Sequence, residues 1–425
     1  MEKCHIAIAG LGVVGAETAR HLIEKQSILS EKAGTSLTLT AISARAKGKD
    51  RGFDMSGLTW CDNPVDLANL ADVDVVVELM GGSEGPALAL TKAALSAGKH
   101  VVTANKAMIA LHGVELAQLA EEKGVQICFE SSVAGGIPAL KILREGLAAN
   151  DISSVSGILN GTCNYILSEM EETGRPFDDV LKEAQELGYA EADPTFDVDG
   201  IDAAHKLTIL DAIAYGNVPD FDKLSITGIR DVSAEDISFA AELGYRIRLI
   251  GRATSEGVAC VEPVFLPEAS ALAKVTGPLN AVYYEASPVN TISATGPGAG
   301  AGPTASAVLA DIIDVAAGRH SFAFGKPVAL LSKATVSDEA LVTSGYYLRL
   351  EVADEKGVLA AVTDILKSHD ISVETLIQKI HEEDKSASLV MVLHETDQAS
   401  MAAAALQLSS MSDVHSTSRA FTVLR

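Results

Sequence analysis

The chain has 425 residues, of which 48% are hydrophobic and 21% charged, the composition of a folded protein and not of a disordered one. Because one hydrophobic core rarely organises a chain of this length, we expect two or three domains. The 57 acidic residues outnumber the 33 basic ones, and the formal net charge of -24 disfavours binding to nucleic acid or to an anionic membrane surface.

The N-terminus leads directly into a short apolar strand, without the charged and apolar regions of a secretory signal. No uninterrupted apolar run reaches the roughly 18 residues that a membrane-spanning helix needs. These features predict a soluble, cytoplasmic protein with no membrane partner.

Short apolar runs alternate with helical stretches in the first part of the chain. The runs cover residues 5–9, 37–43, 73–79, 100–103 and 125–130. Strands that are separated by helical crossovers form parallel sheets. The pattern predicts an α/β fold with a Rossmann-like dinucleotide-binding domain over residues 1–130, completed by residues 300–320.

A glycine-rich turn follows the first predicted strand and precedes a helix. Its G-x-G-x-x-G spacing comprises Gly10, Leu11, Gly12, Val13, Val14 and Gly15. In this context Gly10 permits the tight turn, Gly12 lets the backbone approach a pyrophosphate, and Gly15 lets the helix pack on the strand. We therefore predict a dinucleotide site here.

The end of the second predicted strand bears on which dinucleotide binds. NAD-selective sites usually carry a carboxylate there, whereas this strand runs from Ser43 into Arg45 and Lys47, with no acidic residue before Asp50. Arginine and lysine suit a 2'-phosphate. We predict a preference for NADP(H), with NAD(H) possible; the alternative is that both cations are solvated surface residues.

Longer polar helices mixed with strands follow, and they predict an α+β substrate and dimerisation domain over residues 131–320. Six carboxylates, a lysine and a histidine lie between residues 184 and 206. Within that stretch Asp202 and Lys206 are four residues apart at the start of a predicted helix and share a face. An acid beside a lysine suits proton transfer to and from an alkoxide. The alternative is an ordinary surface ion pair.

A stretch with the composition of a linker, residues 321–344, separates the last predicted domain, residues 345–425. Its predicted strands cover 346–352, 372–380, 388–394 and 420–424, and its predicted helices cover 357–369 and 400–410. The order βαββαβ is the ferredoxin-like arrangement.

The spacing A-x-x-x-G-Y-x-E-x-D-P-x-x-D-x-D-G-x-D-x-x-x-K over residues 184–206 resembles the signature of homoserine dehydrogenases. Companion segments agree in type and order, namely V-V-E-L-M-G-G (76–82), V-T-A-N-K (102–106), E-S-S-V-A-G-G-I-P (130–138) and N-G-T-C-N-Y-I-L (160–167). The resemblance spans about residues 1–320. It implies reversible NADPH-dependent reduction of L-aspartate 4-semialdehyde to L-homoserine, in threonine, methionine and isoleucine biosynthesis.

Carried over position by position, the resemblance implies roles for named residues. Lys206 would be the general acid and base, and Lys106, between nicotinamide and substrate, a second proton-transfer candidate. Glu191 would hold the substrate ammonium. Asp197 and Asp202 would bind and orient the hydroxyl end.

Two glycine-containing segments have further implied roles. Gly81 and the stretch 296–304, which includes Gly302, would contact the cofactor. Similar proteins bind sodium through a carboxylate and turn carbonyls, which here are those of Glu130, Val133, Gly135 and Ile137. Oxygen ligands of this type suit a hard cation. From the residues alone, the segment 130–137 is only a glycine-rich connector, and the stretch 296–304 is nearly as well explained as a flexible hinge.

The last 80 residues resemble an ACT domain, with Gly357 at the first strand-helix turn. That turn typically binds an amino acid or joins two domains, and a helix N-terminus favours a carboxylate. We expect threonine as an effector and a homodimer or homotetramer. The alternative is a domain that only mediates dimerisation.

Other interpretations are less consistent with the sequence. The five cysteines are scattered, which argues against a disulfide framework or a zinc site, and we interpret Cys163 as a packing residue rather than a nucleophile. His205 should face away from Lys206, its neighbour on a helix. A prephenate dehydrogenase would lack the signature between Glu191 and Lys206, and a non-catalytic dinucleotide sensor would not need Lys106.

Overall fold

The computed structural model describes residues 3–334, 343–382, 385–417 and 419–424. The first six strands form one parallel sheet in the order β3-β2-β1-β4-β5-β6. They are β1 Lys3–Ala9, β2 Ser36–Ser43, β3 Thr59–Trp60, β4 Val75–Glu78, β5 His100–Thr103 and β6 Ile127–Cys128. The associated helices are α1 Val13–Glu24, α2 Gln26–Ala33, α3 Pro86–Ser96 and α4 Lys106–Lys123. The predicted doubly wound sheet is confirmed.

Helices cover both faces of this parallel sheet, which is why its strands are mainly apolar. Ile6 and Ile8 of β1 share a core with Val75 of β4 and with Val308 and Ile312, which come from a helix much later in the chain. The chain thus returns to the first sheet after building the second.

The second part of the chain combines a mixed, mainly antiparallel sheet with helices. Its strands are β7 Asp151–Ile158, β8 Ser225–Ile226, β9 Tyr245–Thr254, β10 Ala259–Pro267, β11 Leu279–Ser287 and β12 Asn290–Pro297. Its helices are α5 Ala139–Lys141, α6 Gly161–Thr173, α7 Phe177–Glu186, α8 Thr195–Val198, α9 Ile201–Tyr215, α10 Ala234–Glu242 and α11 Ala301–Ala316. Short 3-10 turns lie at Pro64–Asn69, Glu130–Ser132 and Val328–Leu330, and a π turn at Ile142–Gly146.

The C-terminal part has the predicted βαββαβ order. Its elements are β13 Thr343–Ala353, α12 Val358–Ser368, β14 Val373–His381, β15 Ser386–Asp397, α13 Gln398–Ser409, β16 Val414–Thr417 and β17 Phe421–Val423. The structure differs from the prediction at the end, where two strands replace one. β16 completes the ferredoxin-like unit beside β13, whereas β17 pairs with β13 on one side and with β10 on the other.

This extra strand joins two sheets into one of eleven strands, in the order β12-β11-β7-β9-β10-β17-β13-β15-β14 with β8 and β16 alongside. The C-terminal unit is therefore hydrogen-bonded to the preceding domain through its backbone. Residues 335–342 of the expected linker lie outside the described residues. Within the described ranges, no helix is both long and apolar enough to cross a membrane.

Candidate active site

The glycine-rich turn connects β1 to α1. Gly10 adopts a left-handed φ of 91°, and a Cβ there would lie 2.5 Å from the carbonyl oxygen of Leu79. A Cβ on Gly15 would lie 1.8 Å from the carbonyl oxygen of Gly10, so α1 can pack on the turn only without a side chain. A Cβ on Gly12 would meet nothing within 4 Å. The turn is thus sterically closed on the protein side and open where a pyrophosphate would approach.

The loop after β2 carries four cationic residues, Arg45, Lys47, Lys49 and Arg51, of which the first two were singled out from the sequence. Arg45 is exposed, and the Nζ atom of Lys47 lies 5.8 Å from the centre of the Trp60 ring. Arg51 lies over the same ring at 5.6 Å and donates hydrogen bonds to the Ala46 and Lys49 carbonyls. Sequence reasoning missed Arg51, because its closeness to Trp60 depends on the neighbouring strand β3.

The carboxyl ends of β4 and β5 are held together by side chains. Glu78 accepts hydrogen bonds from the backbone of Met80 and Gly81 at 2.7 and 3.3 Å and from the hydroxyl of Thr103 at 2.7 Å. Asn105 caps α4 by accepting from the Met108 backbone. This arrangement places Lys106, the first residue of α4, at the edge of the sheet where open α/β folds bind ligands.

Two lysines from different domains contact one aspartate. The Nζ atom of Lys106 lies 2.8 Å from one carboxylate oxygen of Asp202, and the Nζ atom of Lys206 lies 2.7 Å from the other. Lys206 also donates to the Leu159 carbonyl at 2.7 Å. Asp202 and Lys206 are buried on α9, so the expected i,i+4 pair is present but is not a surface pair.

Asn160 organises the carboxylates of this cluster and was not singled out from the sequence. Its side-chain amide donates to Asp197 and to Asp202, both at 2.8 Å. Its amide oxygen caps α6 by accepting from the Cys163 backbone at 2.8 Å. One side chain therefore ties the start of α6 to two carboxylates on α8 and α9.

Burial and neighbouring charges shift the pKa values of the residues in this cluster in different directions. Burial alone would raise the pKa of Asp202, but Lys206 and Lys106 hold that pKa well below its usual range. Burial lowers the pKa of Lys206, and the attraction of Asp202 offsets this only in part. For Lys106 the effect of burial is outweighed by Asp202, so its pKa is raised. Burial raises the pKa of Asp197.

The structure therefore brings together Lys106, Asp197, Asp202 and Lys206. It does not bring Glu191 into hydrogen-bond contact with them: the side chain is exposed, and its backbone carbonyl accepts from Gln185 at 3.0 Å. The cluster has carboxylates for orientation, one lysine whose pKa is raised and a second whose pKa is lowered, which suits proton transfer at a carbonyl or alcohol.

His205 and Cys163, which were not predicted to take part in the reaction, make contacts outside the lysine pair. His205 stacks between the rings of Phe196 and Phe221, at 5.6 and 4.5 Å, and its Nδ1 lies 3.0 Å from the Ile201 carbonyl. Cys163 is fully buried and donates to the Asp197 carbonyl, and burial raises the pKa of its thiol far above the usual range. Both contacts are those of packing residues.

The segment after β6 contains a buried carboxylate with one unpartnered oxygen. Glu130 accepts from the Leu140 backbone at 2.9 Å through Oε1, whereas Oε2 is buried without a hydrogen-bond partner. Burial, together with Asp311, raises the pKa of Glu130 to about 8. An orphaned buried oxygen is what a cation would satisfy. Val133, Gly135 and Ile137, whose carbonyls were predicted as ligands, are buried in the segment that follows it.

The stretch 296–304 packs against this segment. The Gly136 backbone donates to the Pro297 carbonyl at 3.0 Å, and a Cβ on Gly135 would lie 2.4 Å from the Gly298 carbonyl. Gly302 lies in the first turn of α11, where a Cβ would meet nothing within 4 Å. Gly302 is therefore sterically open, whereas a Cβ on Gly298 of the same stretch would lie 2.0 Å from the Asn280 side chain.

Comparison with known proteins agrees with this architecture along the whole chain. The family described as homoserine dehydrogenase matches residues 138–313, its NAD binding domain matches residues 10–130, and the ACT domain matches residues 346–411. The three matches correspond to the substrate part, the parallel sheet and the C-terminal βαββαβ unit.

Individual relatives agree. The homoserine dehydrogenase of Neisseria gonorrhoeae is 44% identical over 405 residues, covering 93% of each chain. The solved structure of one from Thiobacillus denitrificans has a TM-score of 0.93 and 41% identity, covering 100% of this chain and 99% of the other. A hyperthermophilic archaeal homoserine dehydrogenase in complex with NADPH has a TM-score of 0.66 and 31% identity, covering 75% of this chain and 99% of the other. The chain belongs to the homoserine dehydrogenases, NAD(P)-dependent oxidoreductases that act on a CH-OH group, and carries an ACT domain.

Proposed function

We propose that this homoserine dehydrogenase reduces L-aspartate 4-semialdehyde to L-homoserine reversibly with NADP(H), in the route to threonine, methionine and isoleucine. The observation that carries the site assignment is the contact of Lys106 and Lys206 with one buried aspartate, Asp202, at the carboxyl edge of the parallel sheet. The bound nicotinamide supplies or accepts the hydride.

The preference for NADP(H) over NAD(H) rests on the loop after β2. Arg45, Lys47 and Arg51 lie there together, two of them against Trp60, and no carboxylate ends the strand. A guanidinium matches a phosphate through two parallel hydrogen bonds. The archaeal relative in complex with NADPH supports the same choice. The turn from Gly10 to Gly15, with Gly81 and Gly302, would hold the remainder of the dinucleotide.

Lys206 is the proton carrier in this proposal. Burial lowers its pKa, which favours a role in taking the hydroxyl proton of homoserine and returning it in the reverse direction. Lys106 keeps its charge and stabilises the alkoxide, while Asp202 orients both lysines. Asp197 binds near the hydroxyl end, and the exposed Glu191 holds the substrate ammonium.

A sodium ion at Glu130 is also part of the proposal. The buried Oε2 atom without a partner supports it, and Val133, Gly135 and Ile137, whose carbonyls would be the further ligands, are buried in the segment that follows Glu130. The ion would neutralise a carboxylate that burial leaves destabilised, and it would brace the segment against the loop that precedes α11.

For the C-terminal part we propose regulation by threonine at the turn before α12. Gly357 has a φ of 97°, no side chain caps the helix there, and a Cβ would meet nothing within 4 Å. Pairing of two such domains would give a homodimer or homotetramer. The proposed domains are residues 1–130 with the later helix α11, residues 131–320, the linker 321–344 and residues 345–425.

The experiment is NADP-dependent oxidation of homoserine, followed at the nicotinamide absorbance, for the wild type, Lys206→Ala and the exposed helix variant Lys182→Ala. We expect kcat to fall by about 10²–10⁴ in Lys206→Ala with cofactor binding retained, the usual contribution of general acid-base catalysis. Lys182→Ala should match the wild type. An unchanged kcat in Lys206→Ala would remove this residue from the mechanism.

A further inference from the structure

Helices α4 and α9 carry the two residues whose contact joins the parallel-sheet domain to the substrate domain. Lys106 is the first residue of α4, and Asp202 lies in the first turn of α9. Their charged groups are 2.8 Å apart. Farther along the helices, Ile109 of α4 and Ile213 of α9 belong to one core. The geometry of the active site therefore depends on how these two helices are held against each other.

A segment of residues 323–332, which we call the bridging segment, follows α11 and contacts both helices. It lies within the stretch whose composition is that of a linker, and outside the family matches over residues 138–313 and 346–411. Ala323 and Phe324 are nevertheless buried in the same core as α4 and α9. The segment is thus a packed element of the structure and not only a connection between domains.

On α4 the bridging segment contacts the middle and the end of the helix. A Cβ on Gly113 would lie 2.7 Å from the Cζ atom of Phe324, so the helix approaches the ring more closely than any other residue would permit. Phe324 is 1% exposed and its ring centre lies 5.7 Å from that of Phe129, which leaves the ring little room to move. Glu121, in the last turn of α4, accepts a hydrogen bond from the Val328 backbone at 3.0 Å.

On α9 the bridging segment contacts the C-terminal end. The Ser332 backbone donates to the Gly216 carbonyl at 3.0 Å, and the Ser332 carbonyl accepts from the Val218 backbone at 2.8 Å. Gly216 ends α9 with a left-handed φ of 62°, and a Cβ there would lie 2.2 Å from the Nζ atom of Lys326. An ammonium group near the last carbonyls of a helix is favourable. One short segment is therefore attached to both helices, away from their active-site ends.

We propose that the bridging segment positions α4 against α9 and thereby aligns Lys106 with Asp202, with Phe324 and Gly113 as the positioning residues. Lys106 precedes Gly113 by seven residues, which is about 10 Å along a helix at about 1.5 Å per residue. Because a helix is stiff over that length, a displacement at Gly113 moves Lys106 as well. This role in alignment rests on the proposed function, which assigns Lys106 and Asp202 to the reaction.

In the variant Gly113→Ala, packing and helix propensity act in opposite directions. The methyl group would lie 2.7 Å from the Phe324 ring, whereas carbon atoms in contact are about 3.5–4.0 Å apart, so α4 and the ring must separate by about 1 Å. A displacement of that size at a catalytic group lowers the rate by up to about 10². Alanine is otherwise the better helix former, and in a helix free of this contact it would raise the stability. A loss of activity in Gly113→Ala therefore reports the contact with Phe324.

The test is steady-state oxidation of homoserine with NADP, with NADP binding measured separately by fluorescence titration. We expect Gly113→Ala to lower kcat about tenfold or more with an unchanged dissociation constant for NADP, because the cofactor turn lies elsewhere. Phe324→Leu shortens the side chain, so the double variant should recover most of the lost kcat, the non-additivity expected of residues in contact. Leu111→Ala, at an exposed position of α4, should match the wild type.

Glu121 supplies a second, independent pair of variants. Glu121→Gln keeps an oxygen that can accept from the Val328 backbone and should retain the kcat of the wild type. Glu121→Ala should lower kcat, but by less than Gly113→Ala does, because only one exposed hydrogen bond is lost.

Wild-type kcat in Gly113→Ala, or a loss that the double variant retains in full, would overturn the positioning role while homoserine oxidation by the wild type still stood. If the wild type itself did not oxidise homoserine, the proposed function would fail instead. Thermal midpoints of the same variants then test the contact separately, and additive changes for Gly113→Ala and Phe324→Leu would refute it.

Discussion

The charge balance around Asp202 makes Asp202→Asn the most informative substitution. In the wild type one carboxylate contacts two ammonium groups, 2.8 Å from Lys106 and 2.7 Å from Lys206. The amide keeps the shape and some hydrogen bonds but leaves two cations facing each other, one of them buried. Breaking a buried pair in this way typically costs about 3–5 kcal/mol. Because Lys106 is 31% exposed at its side chain, we expect the lower end, about 3 kcal/mol.

The pH dependence of this destabilisation follows from the titration of Lys206. Without Asp202 the main group that opposes the lowered pKa of Lys206 is gone, so this pKa falls further. A lysine with a lowered folded-state pKa destabilises the fold fully below that pKa, and the cost disappears as pH rises from it to the ordinary lysine pKa of the unfolded chain. The destabilisation by Asp202→Asn should therefore be largest near neutral pH or below and shrink in alkaline solution.

The assay is denaturant unfolding followed by circular dichroism, at neutral and alkaline pH. The matched control is Asp199→Asn, three residues earlier, which breaks a more exposed ion pair with Arg230 and should cost less than about 1 kcal/mol. A loss in the free energy of unfolding no larger than that of the control at neutral pH would refute the assigned charge balance at Asp202. An equal loss at both pH values would refute the role of Lys206.

Two further predictions concern the cofactor turn and the carboxylate at Glu130. Gly15→Ala should disrupt folding of the turn, because its Cβ would lie 1.8 Å from a carbonyl oxygen. Gly12→Ala, whose Cβ meets nothing within 4 Å, should fold normally and raise the dissociation constant for NADP. Thermal midpoints measure the first effect and fluorescence titration the second, and equal thermal midpoints for the two variants would contradict this prediction. Sodium chloride should raise the thermal midpoint above that in choline chloride of equal ionic strength, and Glu130→Gln should abolish the difference, while Glu145→Gln on the surface should preserve it. An ion effect that survives in Glu130→Gln would place the cation elsewhere.

Features carried by local sequence could be predicted without the structure. The parallel sheet was predicted from apolar runs that are separated by helical stretches. The cofactor turn was predicted from three glycines whose spacing is a steric requirement. The pair Asp202 and Lys206 followed from helical periodicity, since residues four apart share a face. The order of the C-terminal elements was likewise readable from alternating patterns.

Contacts between distant segments could not be read in this way. The hydrogen bonds from Asn160 to Asp197 and Asp202, the contact of Lys106 with Asp202, and the packing of Phe324 against Gly113 all join residues that no periodicity relates. The short strand β17 is a further case, because three residues carry too little pattern to specify two pairing partners.

The local pattern of apolar residues, glycines and helix formers sets the type and order of the helices and strands. Which side chains meet depends instead on how those helices and strands pack against one another. The consequence is clearest at Asp202: its helical neighbour Lys206 was predictable, but burial and the second lysine, which together set the charge of the site, come from packing between domains.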